Sequence, residues 1–321
     1  MRWILVCLIF SSQALATKVL LIESYHSGYP WDESYVEGIT ETLSPTIEFK
    51  SFQMDTKRLP VEEFERRAEQ AFAEYKDFKP DIVMLGDDNA FSYMLPKLYD
   101  EPISIVFLGI NANPRSLLKQ YRGKANVTGV LERPLFVKSL GELRSVFATK
   151  EFKVLILFDS GVTSEIAKSY IDNQYTLIRK NLGIDVEIKA LATKHSWREQ
   201  VMSAKEQGFT VIIVGLYQTL VDENGSNVPA EEVIEWTSQH SPLPIFAFWD
   251  FAVGVGKAAG GVVLFGHSHG VEAANMVNRL AESDSRVVIP IATGDQGKAI
   301  YSKTELSRWG LAMPSHWQEL D

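Results

Sequence analysis

The sequence predicts an α/β protein of two lobes, each a parallel sheet with helices on both faces. Three observations predict it. Short apolar runs alternate with amphipathic stretches of helical spacing. The series restarts after a junction at 128–134, which the helix breakers Gly129 and Pro134 bracket. The chain has 321 residues, a length that suggests about two domains.

The first series opens with a continuous apolar run at 19–22, which is typical of a strand buried on both faces. A helix follows at 32–43, because Tyr35, Ile39 and Leu43 fall on one face at helical spacing. The same criteria predict a strand at 47–54, a helix at 61–78, a strand at 81–85, a helix at 90–98 and a strand at 103–108.

The second series predicts a helix at 136–147, a strand at 154–158, a helix at 164–182, a strand at 184–191, a helix at 197–207, a strand at 211–214, a helix at 230–240 and a strand at 244–248. The rest of the chain predicts a strand at 262–265, a helix at 270–281, a strand at 287–292 and an amphipathic tail. This remainder is too short for a third domain, so we expect it to complete the other two.

Composition excludes several classes of protein. Hydrophobic residues make up 45% and charged residues 23%, as in ordinary globular domains. The net charge of −9 excludes nucleic-acid binding by bulk electrostatic attraction. Residues 1–16 predict a cleavable secretory signal: Arg2, an apolar stretch at 3–10, and Ala14-Leu15-Ala16 before the cut. A buried first strand is the alternative. The single cysteine, Cys7, lies inside this segment, so the mature chain has no disulfide.

Polar and aromatic side chains cluster in the loops that follow the predicted strands. In an open parallel sheet, ligands bind at those carboxyl ends. Aromatic faces would supply contact area for a small organic ligand, and Asp88 or Asp250 would pair with a cation. Turn formation and helix capping are the alternative role for each Asp and Asn. The candidate ligand-binding residues are Tyr25, His26, Trp31, Asp88, Asn89, Asn111, Thr163, Tyr217, Trp249 and Asp250.

Residues 266–270 match the G-x-S-x-G pattern of serine hydrolases, with Ser268 as nucleophile. Asp284 or Asp295 and then His316 follow in the hydrolase order of acid and base. Few residues remain after Ser268 to supply the acid and base strands, so a tight strand-to-helix turn is the favoured interpretation. The sequence therefore predicts a protein without catalysis, and an exported serine hydrolase is kept as the alternative.

Cofactor and metal signals are weak. His267 and His269 could bind a metal only if His26 or His195 joined them. Residues 254–257 lack the spacing of both the phosphate-binding loop and the dinucleotide fingerprint. We therefore expect no cofactor and no metal.

Several motifs occur in order along residues 18–321: Tyr25-His26-x-Gly28-x-Pro30-Trp31, Gly86-Asp87-Asp88-Asn89-Ala90, Phe107-Leu108-Gly109-Ile110-Asn111, Gly129-Val130-x-Glu132, Gly260-Gly261, Gly270-x-x-Ala273-Ala274 and Leu306-x-x-Trp309-Gly310-Leu311-x-Met313-Pro314. With these motifs the chain resembles the type I periplasmic substrate-binding proteins of ABC transporters. More closely, it resembles the branch that binds tryptophan and other aromatic amino acids, and the segment from Tyr25 to Trp31 resembles sensor-associated members.

The resemblance implies two Rossmann-like lobes joined by three crossings, with residues 17–131 and 267–286 in the N-terminal lobe and 132–266 and 287–321 in the C-terminal lobe. It implies capture of an amino-acid-like or aromatic ligand in the cleft. The closed form would be presented to an ABC permease or to the periplasmic domain of a sensor histidine kinase or diguanylate cyclase. The lipobox cysteine of Gram-positive members is missing, which favours a free periplasmic protein of a Gram-negative cell. Glu305 and Arg308-Trp309 depart from the usual closing segment.

Overall fold

The computed structural model describes residues 16–147, 152–283, 287–294, 297–312 and 315–321. The predicted signal segment, apart from Ala16, lies outside the described residues, as do Asp284, Asp295, Met313 and Pro314. The N-terminal lobe contains a six-stranded parallel sheet in the order β11-β5-β4-β3-β1-β2. Its strands are β1 (Lys18–Glu23), β2 (Glu48–Gln53), β3 (Ile82–Gly86), β4 (Ser104–Ile110), β5 (Asn126–Leu131) and β11 (Ala292–Thr293).

Helices cover both faces of this sheet. They are α1 (Pro30–Thr42), α2 (Phe64–Phe78), α3 (Asp87–Leu98), α4 (Arg115–Gln120) and α10 (Gly266–Glu282). Because both faces are covered, β3 and β4 are buried at every position. Helix α1 begins at Pro30. The first backbone N–H groups of a helix have no partner within it, so proline, which lacks this N–H, loses no hydrogen bond there.

The C-terminal lobe contains a four-stranded parallel sheet in the order β7-β6-β8-β9. Its strands are β6 (Lys153–Asp159), β7 (Asp185–Leu191), β8 (Val211–Val214) and β9 (Ile245–Ala247). Its helices are α5 (Phe136–Val146), α6 (Val162–Asp172), α7 (Tyr175–Leu182), α8 (Lys194–Ser203) and α9 (Ala230–His240). A small sheet, β10-β12-β13, extends this lobe with β10 (Gly260–Val263), β12 (Lys298–Tyr301), β13 (Gln318–Glu319) and helix α11 (Lys303–Arg308).

The chain passes between the lobes three times: after β5, between β10 and α10, and between β11 and β12. The predicted α/β class with two lobes and three crossings is confirmed. Across the part of the chain that the structure describes, no helix combines the length and apolar character that crossing a bilayer requires.

Strand β5 and helix α4 were not predicted from the sequence, and three further details differ from the predictions. The helix expected at 164–182 is two helices, because the backbone N–H of Gln174 bonds to the Ile171 carbonyl three residues back and so ends the regular bonding of α6. The strand expected at 287–292 is only the two-residue β11. This strand pairs with β5, so residues 287–294 lie along the N-terminal sheet and the expected lobe boundary at 287 was placed too early.

Candidate functional site

The carboxyl ends of the parallel strands of both lobes face each other across a cleft, where two adjoining cavities lie. The inner chamber has a volume of about 10 Å³, room for about one water, and is almost filled by its own side chains. Its lining is Tyr25, Tyr29, Trp31, Asp87, Asn111, Glu132, Thr163, Leu216, Trp249 and Phe251.

The outer chamber opens beside it and has a volume of about 370 Å³. Its lining is Tyr25, Thr56, Lys57, Arg58, Leu59, Pro60, Val61, Phe64, Asn89, Ser160, Gly161, Val162, Thr163, Thr219, Val221, Gly225 and Asn227. Tyr25 and Thr163 line both chambers, and the Tyr25 hydroxyl lies 3.2 Å from Thr163 Oγ1. This contact joins the two lobes and separates the chambers.

Two larger cavities lie within single lobes. One of about 400 Å³ is bounded by residues 193–198 and 222–224 of the C-terminal lobe. One of about 740 Å³ lies between α4 and β5 in the N-terminal lobe. In neither cavity do buried ionisable groups from two lobes come together. Binding sites for small molecules occur preferentially at interfaces between domains. We therefore take the cleft as the candidate site.

Aromatic rings form the walls of the inner chamber. Tyr25 and Tyr29 come from the loop between β1 and α1 and pack edge to face, with ring centroids 4.7 Å apart. Phe251 of the C-terminal lobe faces Tyr29 at 6.2 Å. All of Tyr25, Tyr29 and Trp249 are at most 3% exposed. Such rings offer a large contact area and attract cations to their faces.

Two carboxyl groups reach the same chamber. Asp87 accepts a 2.7 Å hydrogen bond from the Tyr25 hydroxyl. Glu132 Oε1 accepts from the Trp249 indole N–H at 2.8 Å, and Glu132 Oε2 accepts from the Asn111 side-chain amide at 3.0 Å. Glu132 stands at the first crossing and Trp249 follows β9, so this bond ties the hinge to the C-terminal lobe.

The position of Asp87 depends on an unusual backbone conformation. Its φ is +73°, a left-handed value that Asp adopts more readily than most residues. The turn directs Asp87 into the inner chamber, whereas the Asp88 carboxylate accepts the backbone N–H groups of Asn111 and Ala112 at 3.1 and 3.0 Å. Asp88 therefore holds the loop after β4 in place.

Burial and mutual repulsion raise the pKa values of these acids. Burial, and then the charge of Asp87, raises the pKa of Glu132 well above its usual value. Burial likewise raises the pKa of Asp87. For Asp88, burial and the neighbouring Asp87 raise the pKa to about 7. A cation placed among these groups would relieve both the desolvation and the repulsion.

The structure brings together six of the ten candidate residues. Tyr25, Trp31, Asn111, Thr163 and Trp249 line the inner chamber, and Asn89 lines the outer one. Asn89 also donates to Thr56 Oγ1 at 2.8 Å.

The other four candidate residues lie outside both linings. Asp88 braces a loop. The His26 ring lies 3.5 Å from Asp55, and burial and Arg58 lower its pKa. Tyr217 packs against Trp197 and Phe251 inside its lobe. Asp250 begins a short 3-10 helix, and burial raises its pKa to about 6.

The ten candidates leave out many residues of the two linings, among them Tyr29, Lys57, Asp87, Glu132 and Phe251. Signals existed for three of them. Asp87 adjoins the chosen Asp88, Phe251 adjoins Asp250, and Glu132 ends the Gly129-Val130-x-Glu132 motif. Lys57 follows β2 in a loop with no distinguishing pattern, so only the three-dimensional structure places it in the cleft.

The hydrolase pattern does not form a nucleophile elbow. Ser268 lies in the first turn of α10. The flanking glycines permit close packing: a Cβ at Gly266 would lie 2.7 Å from the Trp31 carbonyl oxygen, and one at Gly270 would overlap that of Tyr35. His316 lies 2.7 Å from Glu142, and both belong to the C-terminal lobe, whereas Ser268 belongs to the N-terminal lobe. Within the described residues, no three His, Cys, Asp or Glu side chains converge as a metal site.

Comparison with known proteins extends the structural result. No known family profile matches the chain, and no curated protein matches it in sequence. Among solved structures, it is similar to the ABC domain in complex with L-Trp from Streptococcus pneumoniae (TM-score 0.69, 16% identity, 95% of this chain and 99% of that one).

Two further structures are similar over the same share of this chain. One is a conserved domain protein from Vibrio cholerae O1 biovar El Tor (TM-score 0.70, 14% identity, 95% of this chain and 100% of that one). The other is a ligand-free, open substrate-binding protein with adhesive properties from Clostridium difficile (TM-score 0.65, 15% identity, 95% and 99%). The chain therefore has the fold of type I periplasmic substrate-binding proteins.

Proposed function

We propose that this protein is a solute-binding protein that captures a small organic ligand between its lobes without catalysing a reaction. The ligand carries an ammonium group and an apolar or aromatic body. One observation carries the proposal: five aromatic rings and two carboxyl groups, contributed by both lobes and the hinge, converge on the inner chamber. This set of groups suits an amino-acid-like or aromatic amine.

The charge of the ligand follows from the cost of the buried acids. Asp87 and Glu132 are at most 3% exposed, and burying carboxyl groups together raises their pKa values. An ammonium group would donate hydrogen bonds to both carboxyl groups. The faces of Tyr29 and Trp249 would stabilise it further by cation–π attraction. A neutral sugar would leave the acids as they are.

Capture is coupled to closure of the lobes. The contact between Tyr25 and Thr163 joins the two lobes and exists only when they are close. A ligand in the inner chamber must separate these side chains to enter and can contact both lobes only after they close. Its binding free energy therefore shifts the hinge equilibrium toward the closed form.

The experiment is a thermal-shift and calorimetric screen of residues 17–321 against L-tryptophan, L-tyrosine, tryptamine and D-arabinose. We expect the amines, and not the sugar, to raise the melting temperature; a ligand at one hundred times its Kd adds about 2.7 kcal/mol of stability. Asp87→Asn should weaken amine binding at least tenfold, because the new side chain keeps the turn but removes the charge.

The matched control is Asp100→Asn, which changes an exposed carboxylate in the same lobe, paired only with Lys124. It should bind like the wild type. Binding of the sugar with no response to the amines, or equal effects of the two variants, would contradict the proposed ligand. Hydrolysis of a chromogenic ester that is lost in Ser268→Ala would establish the alternative enzyme.

Location and partner are part of the same proposal. Residues 1–16 carry the pattern of a secretory signal, which supports export to the periplasm, and the closed form would be read by an ABC permease or a membrane sensor kinase or cyclase. An exported product beginning at Thr17 in a periplasmic fraction would support this location. Retention of Met1 in the cytoplasm would contradict it.

A further inference from the structure

The cavity of about 740 Å³ between α4 and β5 forms a basic groove that lies wholly in the N-terminal lobe. Three exposed cations line it: Arg115 and Lys119 belong to α4, and Arg122 follows in the next loop. Neither aspartate nor glutamate is found among the described residues of the lining. In the part of the chain that the structure describes, no carboxylate is within ion-pair distance of these three cations, whereas Lys124, just outside the lining, pairs with Asp100 at 3.4 Å.

Unpaired cations are unexpected in a chain with 41 acidic and 32 basic residues. Other cations of the same lobe do have partners: Lys97 lies 2.7 Å from Glu65, and Arg58 lies 2.7 Å from Asp55. Three like charges without a counter-charge create a positive local potential, which attracts anionic groups. The basic groove therefore differs in charge from the protein as a whole.

Much of the remaining lining is apolar. It includes Leu118, Val127 and Leu131, each partly exposed. Ile291 lines the groove as well and is 40% exposed, while Val288, in the segment that leads to β11, is 82% exposed. Scattered apolar side chains are normal on a protein surface, but exposed apolar residues that lie together among charged ones mark interaction sites. The basic groove thus combines apolar contact area with positive charge.

The net charge of the chain restricts what can occupy the groove. A bilayer or a nucleic acid presents an extended anionic surface, and the net charge of −9 on the whole molecule would repel it. A short segment of another protein contacts only the groove, so it meets the local positive charge without approaching the acidic remainder of the surface. Its apolar side chains would enter the cavity, as they do where other peptides dock in grooves.

We propose that the basic groove binds an acidic segment of a partner protein. Carboxylates of that segment pair with Arg115, Lys119 and Arg122, while its apolar side chains occupy the cavity. Because the groove belongs to one lobe, the partner contacts it in the open and the closed form of the cleft alike. This interaction is separate from ligand capture and does not depend on which ligand the cleft takes.

The probe is a pool of fluorescein-labelled heptapeptides with Glu or Asp at the odd positions and Leu, Phe or Val at the even ones. A second pool carries Gln or Asn in place of the acids. Fluorescence anisotropy measures the binding of each pool to the protein. We expect the acidic pool to bind at least about tenfold more tightly than the neutral one. Its affinity should fall as the salt concentration rises, since exposed charges are screened.

The variant that tests the charge of the groove is Arg122→Glu, which should weaken binding of the acidic pool about fivefold or more. Its matched control is Lys124→Glu, which makes the same change of charge in the same loop but outside the lining, and it should leave affinity within about twofold. Ile291→Ser removes apolar contact and leaves the charges in place, so it should weaken both pools by a similar factor, about twofold to fivefold. All three side chains are exposed, and Arg122→Gln replaces Arg122→Glu if thermal melts show that the latter does not fold.

Equal binding of the two pools by the wild type would overturn the acid-binding groove, and so would equal effects of Arg122→Glu and Lys124→Glu. Vesicles of equal parts phosphatidylglycerol and phosphatidylcholine provide the remaining comparison. If the protein bound these vesicles and not the acidic peptides, and lost them in Arg122→Glu, a lipid surface would replace the proposed partner. Each of these results leaves the proposed capture of an amine in the cleft standing, because no probe in this experiment binds there.

Discussion

Helix α1 takes part in two interfaces of opposite character. On one face it packs against α10, where Gly38 and Gly270 bring the two backbones together: a Cβ at Gly38 would overlap the His267 carbonyl oxygen, and one at Gly270 that of Tyr35. At the N-terminus of α1, Tyr29 and Trp31 face the cleft. There the lobes meet through side-chain hydrogen bonds and buried carboxyl groups.

These two interfaces explain how one molecule can be both stable and able to open. Backbones in direct contact leave no room for a ligand and lose much packing if they separate. Side-chain hydrogen bonds across a cleft contribute little individually, about 0.5–1.5 kcal/mol each, and a ligand can replace them. The first interface fixes α10 to the N-terminal lobe. The side-chain contacts of the second interface can break and re-form as the lobes open and close.

The largest expected effect comes from breaking the α1–α10 interface. Gly270→Val should lower the free energy of unfolding by more than about 3 kcal/mol, because the new side chain meets the α1 backbone, which cannot move aside without repacking. Urea denaturation followed by circular dichroism measures it. The control is Gly141→Ala in α5, whose Cβ would meet only a Leu182 methyl at 3.7 Å.

Gly141→Ala should be neutral or slightly stabilising, since alanine favours the helix by up to about 1 kcal/mol over glycine. Similar losses in the two variants would show that close packing at Gly270 is not what makes the interface rigid.

An intermediate effect is expected from the acids near the cleft. Burial raises the pKa of Asp250 to about 6, so the native state holds a proton that the unfolded chain releases near pH 4. The contribution of the Asp250 carboxyl group to the free energy of unfolding is fully present below about pH 4 and is lost as the pH rises toward 6. At pH 7, Asp250→Asn should therefore exceed the wild type in unfolding free energy by up to about 3 kcal/mol.

The measurement is urea denaturation of both proteins between pH 4 and 7.5, where the two curves should diverge with rising pH. Asp100→Asn, at an exposed site, should track the wild type throughout. Parallel curves for Asp250→Asn and the wild type would mean that this side chain carries no burial penalty.

The smallest effect is expected from a single hydroxyl in the cleft. Tyr25→Phe removes the bonds to Asp87 and Thr163 and should lower unfolding free energy by about 1 kcal/mol, with more of the population open. Small-angle scattering would record the opening as a larger radius of gyration. Tyr175→Phe removes a comparable bond to Asp185 at the surface of one lobe, and its radius should not change. Equal radii in all three proteins would contradict a hinge held by this contact.

The sequence predicted the buried strands well, because complete burial requires continuous apolar runs such as 154–158. It missed β5 and α4, whose residues mix glycine, polar groups and exposed cations, and it extended one helix through Asn173. In the site, the loops were found by the rule for strand ends, but the individual residues were not. Asp88 was chosen where Asp87 lines the chamber, since the φ of +73° at Asp87 has no periodic signature.

Apolar periodicity was enough to predict the class of fold, the two series of strands and helices and the loops that meet at the cleft, because it is a local property that burial imposes on each element. Three other features depend on packing in three dimensions: Glu132 meets Trp249, Lys57 lies over two tyrosine rings, and Ser268 belongs to a packed helix end. Each of these contacts joins residues distant in sequence, and their distances are set by how the lobes and helices pack.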